Sequence, residues 1–286
     1  MRPHTFIWLS LAAATPGTLV IAQSRAQAPA QAPATRSAPA PVTGTRTGRA
    51  TGPRPPSAPT PRWPDGHPML SAGPGKTGFW NSGTGGLTGK NGMNLPTNLE
   101  IGEVPFQPWA KALYEARRAD QQKNDPHARC VPPGGPRQFH TPYGLQLYEL
   151  PEAKRVLVLS GGGPRTWRVI FMDGRPHPTS DDFIPTFLGH SVGKWEGETL
   201  VVDSVGFNEQ FWFARAGYPH TESLHLIERI SRPDYNTLKY EATIDDPKAY
   251  TKSWTGGHYI YWVPDEDFEE YFCQDNNRDP SHLVGQ

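Results

Sequence analysis

From residue 145 onward, apolar and polar positions alternate in short runs: LQLYEL, RVLVLS, TWRVIFMD, LVVDSVGF, ESLHLIERI, TLKYEATID, HYIYWV and EDFEEYFC. A period of two sends successive side chains to opposite faces, so each run predicts a strand with one buried side. PEAK, GGGPR, GRPHP, KWEGE, RPDYN and VPDE stand between the runs. Their Gly, Pro, Asn and Asp residues are those of turns. No segment among them is long enough for a crossover helix. The pattern therefore predicts an antiparallel sheet, closed into a barrel or folded into a sandwich. Turns this short join neighbouring strands, which favours a mainly β, up-and-down, lipocalin-like barrel.

Upstream the period changes. PWAKALYEARRAD, residues 108–120, predicts an N-terminal helix: Pro108 suits the first helical position, and Trp109, Leu113 and Ala116 recur at helical spacing. Residues 63–107 are rich in Gly, Pro, Asn and Thr without sustained period. They predict a long irregular wrap, with GFWNSG as a first short strand.

The N-terminus has another composition. Residues 1–22 carry Arg2 and His4, the apolar stretch FIWLSLAAA, a Pro16-Gly17 break, and Val20 and Ala22 before Gln23. This predicts a cleavable secretory signal, too short in its apolar part to span a bilayer. Residues 23–62 hold nine prolines, six arginines and no acidic residue, the composition of a disordered linker with too little apolar surface to offset ordering. Residues 63–286 are then a single β-rich globular domain. The expected location is periplasmic or extracellular, with the basic linker suited to contact acidic envelope polymer.

Charge sharpens this division. The chain has 28 basic and 28 acidic residues; Arg2 and the six linker arginines precede residue 63, whereas all 28 acidic residues follow it. The domain is left with 21 basic against 28 acidic, a sign that argues against a nucleic-acid partner. Cys130 and Cys273 are the only cysteines, and in an exported chain they predict a disulfide.

DPHARCVPPGGPRQ (125–138), DGRPHP (173–178), GHSVGKWEGETLVVDSVGFN (189–208), PHTESLHLIERISRPD (219–234) and TIDDPKAYTKSWT (243–255) resemble a large uncharacterised family of exported bacterial proteins. The resemblance covers nearly everything after residue 105 and implies export; it brings no catalytic residue with it. WEGETLVV also resembles lipocalin-type small barrels, which bears on fold alone.

Candidate chemistry is densest in PHTESLHLIER. Extended from His220, this segment places His220, Glu222 and Glu228 on one face and His225 and Arg229 on the other. His220 and Glu222 are the first candidates for a general acid-base pair. A metal site built from His220, Glu222 and His225 would need a turn near Ser223, so no metal ligand is assigned. Glu228 or Arg229 must face the interior, where Arg168, Asp173 or Asp203 could pair with it. Arg168, Asp203, Glu228 and Arg229 are candidates to bind a ligand in the lumen, and Arg175 to bind one at the rim.

His177 and Arg175 in GRPHP, and His190 before a strand, are further catalytic or binding candidates at the rim of the sheet. Ser191 beside His190 lacks the GxSxG elbow of a serine hydrolase. GGG at 161–163 lacks the Lys-Ser/Thr of a phosphate loop, and there is no CxxC or Cys/His cluster, so no cofactor is assigned. FWF at 211–213 cannot send three aromatics into one interior from a strand, which makes Trp212 a candidate ligand contact. The expected activity is a His/Glu acid-base hydrolase or lyase acting on a small molecule or glycan. The alternatives are a lipocalin-like binding barrel and a structural envelope protein.

Overall fold

The computed structural model describes residues 58–83, 85–141, 143–179, 183–267 and 271–274. The signal read at 1–22 and most of the linker lie outside these residues. Among the described residues nine strands, β1 Gly78–Asn81, β2 Leu145–Leu150, β3 Arg155–Ser160, β4 Thr166–Phe171, β5 His190–Glu196, β6 Thr199–Val205, β7 His225–Asp234, β8 Thr237–Asp245 and β9 Trp254–Pro264, close into one barrel. Each pairs with the next, and β9 returns to β1 through Gly78↔Pro264 and Trp80↔Trp262. The expected mainly β barrel with one N-terminal helix is present.

A ring of strands closes only with an even number of antiparallel seams. Nine strands therefore require a parallel one. It lies between β4 and β5, at Ile170↔Ser191 and Phe171↔Val192, and the other eight seams are antiparallel. A parallel neighbour cannot be reached through a tight hairpin. GRPHP, expected as a turn between strands, lies instead in the long connection at 172–189 that leaves β4 and returns beside it.

Alternation fills the interior with Val156, Val158, Ile170, Leu200, Val202, Leu226, Ile230, Leu238, Ile244 and Ile260, all part of one buried cluster. A 3-10 turn at Gly135–Phe139, buried at every residue, plugs it. Phe139 stacks on Tyr240 at 4.3 Å and 8°, and its carbonyl accepts from His258 Nε2 at 2.9 Å. Burial holds the His258 ring neutral, at a pKa of about 4.

Three elements differ from the sequence reading. Helix α1, Pro108–Ala119, starts on its proline, but Trp109 and Leu113 stay exposed while Ala110 is buried. Its inner face is Ala110, Tyr114 and Arg117. Tyr114 stacks against Phe106 and Tyr218, and the Arg117 guanidinium lies 4.5 Å over Trp212. Strand β5 occupies HSVGKWE, so that of KWEGE, read from the sequence as a turn, only Gly197 and Glu198 turn the chain into β6; Gly197 takes it at φ +59°. No strand follows β9 among the described residues of EDFEEYFC, since Asp265 enters the left-handed region at φ 59° and breaks the ladder.

The domain also begins earlier than residue 63. The Ala58 carbonyl accepts from Tyr235 N, Thr60 Oγ1 donates to the Arg232 carbonyl, and Arg62 meets the Glu198 carboxylate through both terminal nitrogens, at 2.9 and 2.6 Å. Cys130 and Cys273 form a disulfide, with Cα atoms 5.6 Å apart. Among the described residues no helix is long and apolar enough to cross a membrane.

Candidate functional site

On β6 the inward residues are Leu200, Val202 and Ser204, so Asp203 projects from the outer wall. Register surrounds it with histidine. Asp203 lies opposite Val192 of β5 and Ile227 of β7. His190 and His225 each stand two positions away on the same face, the diagonal positions that long side chains bridge. His177, from the connection between β4 and β5, completes the group.

The four side chains form one hydrogen-bonded chain. His225 Nε2 and His177 Nε2 both meet Asp203 Oδ1, at 2.8 and 3.0 Å, and His177 Nδ1 lies 2.8 Å from His190 Nδ1. An ionised carboxylate only accepts, so both Nε2 atoms carry hydrogen. In the tautomer in which His177 carries hydrogen on Nε2 alone, its bare Nδ1 accepts from His190 Nδ1–H. In that arrangement the lone pair of His190 lies at Nε2, which bonds to no other described residue.

The His190 ring stacks on Phe171 at 5.2 Å and 26° and meets Phe183 edge-on. Burial, then the neighbouring His177 and Arg175, lower its pKa below the ordinary imidazole value. Arg175 lies 3.9 Å over the Phe171 ring and pairs with Asp173 at 2.6 Å. Hydrogen bonds from Arg175 hold the Asp173 carboxyl down at about 2. Asp203 and His225 remain nearly half exposed, and His177 a quarter.

The lead acid-base pair of the sequence is not formed. His220 is buried and bonds the Phe211 carbonyl through Nε2 at 2.9 Å, and burial lowers its pKa. Glu222 is exposed, its backbone N–H donating to Glu209 Oε1. Parity counted from His220 fails because β7 begins only at His225; before it the chain turns, with Thr221 held by Asp246 at 2.6 and 2.8 Å.

The remaining candidates play other parts. Arg168 and Glu228 do face inward and pair bidentately, with Tyr240 Oη donating to Glu228 at 2.8 Å. They strap β4 to β7 and β8, in a lumen filled by Phe139 and Tyr240 rather than open to a ligand. Arg229 faces outward to Glu196 at 3.0 Å. Trp212 is buried in a loop, as are Phe211 and Phe213, so the three aromatics escape the parity of a strand and Trp212 packs under Arg117. His225, weighed only as a metal ligand, is the member of the site that sequence reasoning missed. Its signal was its shared parity with outward positions of β7, unusable without the β6–β7 register.

Among the described residues no three of His, Cys, Asp and Glu are arranged to hold a metal ion; Asp203 Oδ1 already accepts from two imidazoles. Away from this cluster, a cleft of about 450 Å³ opens where β1 and β2 meet and is lined by Trp63, Lys76, Gln146, Tyr148, Glu149 and Asp267 among others. No family model, curated protein or solved structure matches the chain.

Proposed function

We propose that this is an exported acid-base enzyme, a hydrolase or lyase in which His190 removes a proton from a small molecule or glycan. The observation that carries the reading is the hydrogen-bonded sequence Asp203, His177, His190, which ends in an imidazole nitrogen with no partner among the described residues. In the reaction the proton goes to His190 Nε2. The resulting imidazolium keeps its Nδ1–H on His177, while Asp203 orients His177 and offsets the charge through it. His225 holds the carboxylate from its other side. The secretory-type N-terminus and the Cys130–Cys273 disulfide support work in an oxidising compartment.

Panels of p-nitrophenyl esters and glycosides, read by nitrophenolate release, test the reading. Burial first of all holds the His190 pKa below the ordinary value of about 6.5, so the rate should fall on the acid side, below that pH, as the ring takes a proton. Removing the base in His190→Ala should cost roughly 100-fold or more in kcat. Asp203→Asn should lower kcat and move the acid limb. Full turnover in His190→Ala would exclude this base.

A further inference from the structure

We infer that the cleft between β1 and β2 is a binding subsite for a neutral saccharide of one or two rings. β1 and β2 share a single register position, Trp80↔Leu145, whereas β2 is paired with β3 along its whole length, from Leu145↔Ser160 to Leu150↔Arg155. Beyond Trp80 the barrel wall is unzipped, and residues of both strands line the cleft. Its volume, about 450 Å³, falls within the range of small-molecule sites.

Four side chains prepare the cleft for its ligand. The Gln146 amide bridges the gap, Nε2 donating to the Gly78 carbonyl at 3.1 Å and to Asp267 Oδ1 at 3.2 Å. Gln146 Oε1 accepts from Tyr148 Oη at 3.0 Å. The amide therefore fixes both a carboxylate and the side chain of Tyr148, a residue that is 42% exposed. Glu149, at the inner side, accepts the backbone N–H groups of Leu70 and Ser71 at 2.7 and 2.9 Å.

A sugar ring presents an apolar C–H face and a rim of hydroxyls. Tyr148 and Trp63, both lining the cleft, offer a platform for the first, and the Asp267 carboxylate with the remaining lone pair of Gln146 Oε1 offers acceptors for the second. Among the described lining residues, the Glu149 and Asp267 carboxyls stand against the ammonium of Lys76, a balance that disfavours an anionic ligand. The cleft belongs to β1 and β2, the relay to β5, β6 and β7, so the inference stands apart from the proposed proton transfer.

Calorimetric titration of the full chain with maltose, cellobiose and chitobiose tests it. At least one disaccharide should bind. Tyr148→Ala and Asp267→Asn should each weaken binding about tenfold or more, equivalent to about 1.4 kcal/mol. Tyr148→Phe, which keeps the ring, and His190→Ala, which lies outside the cleft, should each retain it. Absence of binding by all three sugars at ~20 mM, where even the weakest ligands of a formed site register, would overturn the inference. So would binding that survives in both Tyr148→Ala and Asp267→Asn.

Discussion

Glu228 shows what a single buried charge does here. Its carboxylate is fully buried against the Arg168 guanidinium, itself 1% exposed. The carboxylate is tolerated because Arg168 and Tyr240 Oη both donate to it, and the guanidinium because that carboxylate accepts from its two terminal nitrogens. Glu228→Ala should therefore cost about 3–5 kcal/mol, because it strands a guanidinium in the lumen. Replacing the pair together by Met at 168 and Leu at 228 should cost much less. Urea midpoints of the three proteins decide the matter, and a single variant no worse than the double would show that the pair is not coupled. These two interior charges were legible in the sequence, since alternation alone forces either Glu228 or Arg229 inward. His220 and Glu222 were misread for the complementary reason: parity has no meaning until the strand begins, and it begins at His225.

At the scale of elements, strands with aliphatic inner faces announced themselves. β8 spans the whole of TLKYEATID, with Leu238, Tyr240, Ala242 and Ile244 inward. β5 did not, because its inward residues are Ser191, Gly193 and Trp195, which make no apolar run. The helix was legible but its inner face was not; Tyr114 and Arg117 bury through ring stacking and cation–π contact, which hydrophobic periodicity does not score. The site was visible only as separate residues, because the diagonals around Asp203 depend on register between three strands. The long connection after β4 docks through Phe183, whose ring occupies the space where a Cβ on Gly206 would stand, at 1.8 Å, with Gly206 at φ +75°. Gly206→Ala should thus cost about 1–2 kcal/mol through strain and displacement. It should also push Phe183 from His190 and raise the depressed His190 pKa. An unchanged imidazole titration by NMR would show that Phe183 does not shield His190.

At the scale of the whole molecule, the disulfide joins the region before the plug to the segment after β9, closing a loop of 143 residues. In the chain-entropy account such a bridge restricts the unfolded chain by about 4–5 kcal/mol. Cys130→Ser with Cys273→Ser should lower the denaturation midpoint by that order without altering the far-UV spectrum of the barrel. A midpoint equal to the parent's would mean that the bridge constrains nothing the fold does not already hold.

The odd ring has one more consequence. Strand direction around the wall behaves like alternating spins on an odd cycle: one mismatch is unavoidable, and it can be moved but never removed. In this chain it sits between β4 and β5, and the excursion it demands is the segment that delivers His177 to Asp203. Lengthening such an excursion costs only with the logarithm of its length, while the eight matched seams hold the rest in place. The wall is thus frustrated at one address, and that address is where chemistry can be rewritten without refolding the barrel.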